Sequence, residues 1–150
     1  MKTWKLRLAA GFTVLLTAGL SAGESLKDAS LCQRLGGRSA LEAVIDEFAT
    51  RIFADNRLSQ WFGPVASNGE HAAAYKAKLG DFICQATGGP CKYTGMDMFA
   101  VHKGRAITTE AFNAVVEDLV ASLDKFKVPE REKNQLIGIL APMKPAIVQE

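Results

Sequence analysis

The sequence has only two histidines, three cysteines and almost no net charge, with 18 Lys and Arg against 16 Asp and Glu in 150 residues. Each scarcity excludes something. Near neutrality argues against a nucleic-acid partner, which calls for a concentrated basic face. His71 and His102 lie too far apart in sequence to make a zinc-ligand spacing, and Cys32, Cys84 and Cys91 lack the paired pattern of a structural zinc site. No Gly-x-Ser-x-Gly or comparable nucleophile motif occurs, and no phosphate-cradling glycine loop, which leaves hydrolase and nucleotide-binding readings without a carrier. There is no internal repeat, no low-complexity tract and no cluster of strand-like alternation. What remains is a single all-α domain, long enough to bury a real core.

The amino-terminal stretch is of another kind. Lys2, Lys5 and Arg7 precede a run from Leu8 to Leu20 that is almost wholly apolar, and Ser21-Ala22-Gly23 supplies small residues after it. This pattern reads as a secretory signal at 1–23, too short to span a bilayer, with the folded domain at 24–150. An uncleaved anchor is the alternative. No cysteine closely follows the apolar run, which argues against a lipoprotein. The mature chain is then periplasmic or secreted, carries no membrane span, and has one more acid than base once the three leading cations are gone. Export would place the cysteines in an oxidising compartment. Cys84 and Cys91 bracket a tight Gln-Ala-Thr-Gly-Gly-Pro loop, so their side chains could meet and leave Cys32 unpaired. The alternative is that all three are small buried hydrophobes.

Helical periodicity organises the rest. A short helix from Ser25 to Leu35 stops at Gly36-Gly37. Ser39 is expected to cap a second helix, whose Leu41, Val44, Ile45, Phe48, Ile52 and Phe53 fall at helical spacing on one face. Asp55-Asn56 breaks it. Leu58 to Phe62 reads as a short turn ended by Gly63-Pro64, and Val65 to Glu70 as a mobile polar loop. A third helix runs from about His71 to Ala86, with Tyr75, Leu79, Phe82 and Ile83 on one face, and Gly88-Gly89-Pro90 terminates it. A loop follows, then one or two helical turns between Met96 and Lys103. A fourth helix starts near Thr108, with Phe112, Val115, Val116, Leu119, Val120, Leu123 and Phe126 expected inward. A last helix from Glu130 carries Leu136, Ile137, Leu140, Met143 and Ile147, kinked or frayed by Pro142 and Pro145.

The stretch from Gly88 to Ile107 holds His102 among apolar residues. A lone neutral imidazole is how many proteins present a single nitrogen to a haem iron. Phe62, Phe82, Met98, Ile107, Phe112, Val116 and Leu119 could supply flat apolar walls. Tyr93, Lys103 and Arg105 lie close to His102 and could reach the propionates. No Cys-x-x-Cys-His occurs, so covalent attachment is not indicated. Taken alone, His102 reads more readily as an ordinary hydrogen-bonded surface or core histidine, and the aromatics as plain core.

Several motifs then occur in order: Leu35-Gly36-Gly37, Ala43 to Phe48, Asp55-Asn56-Arg57-Leu58 with Trp61-Phe62, Thr87-Gly88-Gly89-Pro90, Tyr93-Thr94-Gly95, and Met98, His102, Gly104, Arg105, Ile107 and Thr108. From Leu31 to about Val148 the chain resembles the truncated globins of the first, N-type, group. The resemblance implies a two-over-two helical sandwich around haem b, with His102 as proximal iron ligand and Phe62 packed on the haem face. It also marks departures. Family members follow the phenylalanine matching Phe48 with a tyrosine that hydrogen-bonds oxygen; here Ala49 stands there. A glutamine often stands where this chain has Leu79. Facing the iron, Tyr75, Lys78 and Leu79 leave three alternatives: Tyr75 donates to bound oxygen, a neutral Lys78 closes the sixth site, or both side chains point to solvent and the pocket is apolar. His71, one turn before Tyr75, reads as a helix-start residue at the pocket mouth. The family's associations make reversible binding of oxygen, nitric oxide or carbon monoxide the leading function. Nitric oxide dioxygenation with a reductase, exported electron transfer or redox sensing with a redox partner, and a helical interaction module without haem are the alternatives.

Overall fold

The computed structural model describes residues 29–149, so the stretch read as a signal lies outside the described residues. Among them are α1 (Leu31–Arg34), α2 (Gly37–Ala54), α3 (Ser59–Ala66), α4 (Gly69–Ala86), α5 (Met98–His102), α6 (Thr109–Lys125), α7 (Glu130–Leu140) and α8 (Lys144–Ile147). Ser30 opens α1 with a reciprocal cap: its hydroxyl accepts from Gln33 N at 3.2 Å, and its own N–H donates to Gln33 Oε1 at 2.8 Å. The expected start at Ser25 lies outside the described residues.

Ser39 does not cap α2. Gly36 takes a left-handed φ of 95°, and a Cβ there would stand 2.7 Å from that of Ala40. This turn delivers the chain into the helix at Gly37, so Ser39 is already inside it. The expected stripe is otherwise present, with Leu41, Val44, Ile45, Phe48 and Ile52 buried along one face. The helix stops at Asp55, whose carboxylate accepts from Arg57 N at 2.8 Å.

The region between α2 and α4 differs more from expectation. A single 3-10 turn, Asn56–Leu58, leads into α3, which runs through Gly63 and Pro64 to Ala66. A proline in a helix loses one backbone donor. Here the packing of α3 against α2 and α4 outweighs that loss. The expected loop shrinks to Ser67 and Asn68, because Asn68 Oδ1 accepts from His71 N at 3.0 Å and starts α4 at Gly69. Thr108 caps α6 by accepting from Ala111 N at 3.1 Å. Phe126, expected inward, is 43% exposed: α6 ends at Lys125, and Lys127 turns the chain with a left-handed φ of 54°. Pro142 and Pro145 divide the last helix into α7, a 3-10 turn at Ala141–Met143, and α8.

Helix α2 is the hub, packed against α4 and against α6. Arg38 pairs with Asp81 at 2.6 Å to tie α2 to α4, and Lys125 pairs with Glu47 to tie α6 to α2. Lys133 joins α7 to Asp124 at the end of α6. The result is a two-over-two sandwich, α2 and α4 over α6 and α7. Ile52, Leu58, Leu123 and Leu136 are its most completely buried large side chains. Truncating any one of them to alanine costs about 2–5 kcal/mol.

Candidate functional site

The layers do not fill the interior. Between α3 and α4 on one side and α5 to α8 on the other lies a cavity of about 520 Å³, within the range usual for a cofactor or drug-sized ligand. Of the side chains singled out in the sequence for a cofactor, all but Lys103 border it. Phe62 comes from α3, and Tyr75, Lys78, Leu79 and Phe82 come from α4. Tyr93 comes from the following loop, Met98 and His102 from α5, and Arg105 and Ile107 from the next connection. Phe112 and Val116 come from α6. Sequence reading did not anticipate the contribution of the last helices, where Ile137, Leu140, Met143 and Ile147 also border the space. Their periodicity marked them as inward without saying what they faced.

His102 ends α5. That helix is capped by Asp97, whose carboxylate accepts from Ala100 N at 2.9 Å. His102 Nδ1 lies 2.7 Å from the Met98 carbonyl. A carbonyl can only accept, so Nδ1 carries a proton, and in the neutral ring the lone pair is then on Nε2, as a metal-ligating imidazole requires. The chain after His102 is pinned in several places. Gly104 N donates to Gln149 Oε1 at 2.8 Å, and Gln149 N donates to the Ile107 carbonyl at 3.0 Å. Trp61 Nε1 donates to the Arg105 carbonyl at 2.8 Å. Neither Trp61 nor Gln149 was singled out for this role, since the partners are distant in sequence and no local pattern announces them.

On α4, the Tyr75 ring packs against Phe62 at 5.5 Å, edge to face, and against Phe53 at 6.0 Å. Its hydroxyl has no hydrogen-bond partner among the described residues. Tyr75 is only partly covered and borders the cavity; enclosure by protein pushes its phenol well above the usual range. It therefore stays a proton donor at any physiological pH. Lys78 borders the same space but donates from Nζ to Thr94 Oγ1 at 2.9 Å, and it is exposed. Ala49, by contrast, is buried in the α2 core.

The rim is less well supplied than expected. Tyr93 donates its hydroxyl to the Met96 carbonyl at 2.9 Å and sets its ring edge-on to Phe82. Lys103 does not border the cavity; its Nζ lies over the exposed Phe99 ring, 5.9 Å from the centroid. Arg105 does border it, with Nε donating to the Val101 carbonyl at 2.7 Å. His71 sits in the first turn of α4, exposed and outside the lining.

The residues present fit haem. Among the described residues no group of three His, Cys, Asp or Glu side chains that could hold a metal ion comes together, and a macrocycle would supply the other ligands of an iron held by His102. The cavity offers room for one between apolar walls, with one imidazole oriented at its edge.

Comparison with known proteins agrees. The model of the bacterial-like globin family matches residues 30–149. A group 1 truncated hemoglobin of Mycolicibacterium paratuberculosis is 38% identical over 119 residues, covering 79% of this chain and 84% of that protein. The chain belongs to the group 1 truncated haemoglobins. A second member, from Synechocystis, is 34% identical over 105 residues, covering 67% of this chain and 81% of its own. The 2/2 hemoglobin of Synechococcus, solved in the cyanomet state with covalently attached heme, superposes with a TM-score of 0.72 at 26% identity, covering 81% of this chain and all of that one. The truncated hemoglobin of Tetrahymena pyriformis, at 24% identity, shares the fold with a TM-score of 0.73, again covering 81% of this chain and all of its own. Membership of this family makes haem-based binding of a gas the general function.

Proposed function

We propose that the cavity holds haem b, that His102 Nε2 is its protein ligand, and that the site takes up a diatomic gas reversibly. The Met98 carbonyl held 2.7 Å from His102 Nδ1 carries the reading, because it fixes both the ring and the tautomer at the edge of an apolar space. When bound, haem would supply an iron able to take up a small molecule. The protein does the rest. Phe62, Leu79, Phe82, Met98, Ile107, Phe112 and Val116 flank the group and keep water from it, and Arg105 is positioned to meet a carboxylate of its edge. Tyr75 supplies one hydroxyl donor in otherwise apolar surroundings. A polar ligand such as oxygen gains more from that donor than carbon monoxide does, so Tyr75 replaces in role the tyrosine that Ala49 lacks.

The Lys78–Thr94 bond counts against a lysine-closed sixth position, and with it against an electron carrier or sensor built on one. Nitric oxide dioxygenation is the second reading, favoured by the Tyr75 donor, which would help the site hold oxygen; it requires a reductase as partner. No described helix is long and apolar enough to cross a membrane. We also read residues 1–23 as a cleaved signal and the mature chain as periplasmic or secreted; a cell-extracted chain that still begins at Met1 would overturn this.

Absorption spectra of the chain supplied with haem test the central reading. A Soret band, a five-coordinate ferrous form and a carbon monoxide adduct are expected, and the Soret band should be lost in His102→Ala. An unchanged spectrum in that variant would remove His102 from the role, and a six-coordinate ferrous form abolished by Lys78→Ala would restore the lysine-closed alternative.

A further inference from the structure

The cavity leaves the cysteines unexplained. Cys84, at the end of α4, is joined to Cys91 in a disulfide with a Cα separation of 5.7 Å. Cys32, in α1, is free and buried. Its N–H donates to the Thr87 carbonyl at 2.9 Å, and Thr87 in turn donates its hydroxyl to the Ile83 carbonyl at 2.7 Å. These bonds hold Cys32 over the carboxyl end of α4.

Gly89 locates the two sulfurs. A Cβ built on it would meet Cys84 Sγ at 2.6 Å and Cys32 Sγ at 2.7 Å. The sulfurs therefore cannot be further apart than those two distances laid end to end. Gly89 is not required here by a left-handed turn; any side chain would collide with both sulfurs. On the other side of the bridge, Cys91 is half-buried and Arg38 Nη1 donates to its Sγ at 3.1 Å. Arg38 also pairs with Asp81 at 2.6 Å and with Glu42 at 2.7 Å, and those carboxylates hold its guanidinium charged.

We propose that Cys32, Cys84, Cys91 and Arg38 form a thiol–disulfide exchange site that takes small disulfides. In the first step the Cys32 sulfur attacks Cys84 Sγ, and its proton leaves by way of the departing Cys91 sulfur, which reaches solvent and releases it. The Cys32–Cys84 bond forms, the Cys84–Cys91 bond breaks, and the electron pair leaves on Cys91 Sγ. No external oxidant or reductant enters. Three features set the direction. Cys84 is wholly buried, at 0% exposure, so its attacker must come from inside, and Cys32 is the sulfur beside it. A departing Cys91 thiolate meets a guanidinium, and a stabilised thiolate leaves faster. The new bridge is buried, while the released sulfur has access to solvent. In the second step the Cys91 thiolate attacks a small disulfide, forms a mixed disulfide with one half and expels the other as a thiolate.

Oxidised glutathione is the probe. The folded chain is incubated with it, alkylated without reduction, digested and mapped by mass spectrometry. One glutathione on Cys91 together with a Cys32–Cys84 linkage is expected. Cys32→Ser should retain the Cys84–Cys91 bridge and lose the modification. Cys91→Ser, which cannot form the original bridge, should on mild oxidation yield a Cys32–Cys84 disulfide. Glutathione absent from Cys91, Cys32→Ser modified as fully as the parent, or Cys32 and Cys84 both still alkylatable in oxidised Cys91→Ser would each overturn the proposal. None of these readouts depends on haem.

Discussion

The two walls of the cavity are built on opposite plans. On the His102 wall hydrogen bonds hold the chain from several directions. Met98 fixes the imidazole, Trp61 takes the Arg105 carbonyl, and Gln149 holds both Gly104 and Ile107. On the α4 wall, Tyr75 is held by ring contacts alone and its hydroxyl is unassigned, while Lys78 is drawn off to Thr94. A wall tied at several points by hydrogen bonds can keep one atom in one place. A wall held by packing, with one donor left over, can admit something small and reward it with a single bond. The asymmetry is what a site needs if one partner is permanent and the other comes and goes.

The comparison can be broken most severely at His102. His102→Ala should lower haem affinity by more than about 100-fold, beyond the loss usual for an outer-shell partner, as measured by haem transfer to an acceptor protein. Next, Tyr75→Phe should speed oxygen dissociation about 10–100-fold, the worth of one hydrogen bond to a polar acceptor, with carbon monoxide release much less affected. The same variant should melt within about 0.5 kcal/mol of the parent, because the lost hydroxyl has no protein partner. A third, smaller effect is expected at Gln149: Gln149→Ala removes the Gly104 bond, costs about 1 kcal/mol, and should loosen the histidine wall enough to hasten haem loss.

The pH dependence sharpens the contrast. Burial raises the Tyr75 phenol above the ordinary value of about 10. Below that pH both folded and unfolded chains hold the proton, and the stabilisation is complete. Above it the unfolded chain ionises first, so stability falls as pH rises towards the folded value. Alkaline melting curves of the parent should therefore drop more steeply than those of Tyr75→Phe. The smallest effect belongs to Lys78→Ala, which breaks an exposed bond: stability should change by under about 0.5 kcal/mol and the ferrous coordination not at all.

Much of this was legible in the sequence, and what was not has identifiable reasons. The α2 stripe from Leu41 to Ile52 is written in its spacing, and the Cys84–Cys91 pair in the short loop it encloses. Ser39 failed as a cap because Gly36 turns the chain first. Gly63-Pro64 failed as the end of a short turn because α3 packs well enough to carry a proline. Phe126 was placed inward by a period that outlasted its helix. At the site, residue types identified the wall, yet Tyr93 spends its hydroxyl on Met96 and Lys103 rests on Phe99. Local sequence offers a polar group without saying which neighbour will claim it first. Gln149 lies at the extreme of the same difficulty, since its partners are over forty residues away.

That last contact has a practical side. A purification handle, fluorescent fusion or surface linker attached beside residue 149 would hang from the residue that steadies the loop behind His102. A spectrum or ligand-release rate recorded with cargo at that position reports partly on the cargo. Attachment at an exposed position away from that loop, such as Glu70 at the start of α4, leaves the reporter mechanically separate from what it is meant to report.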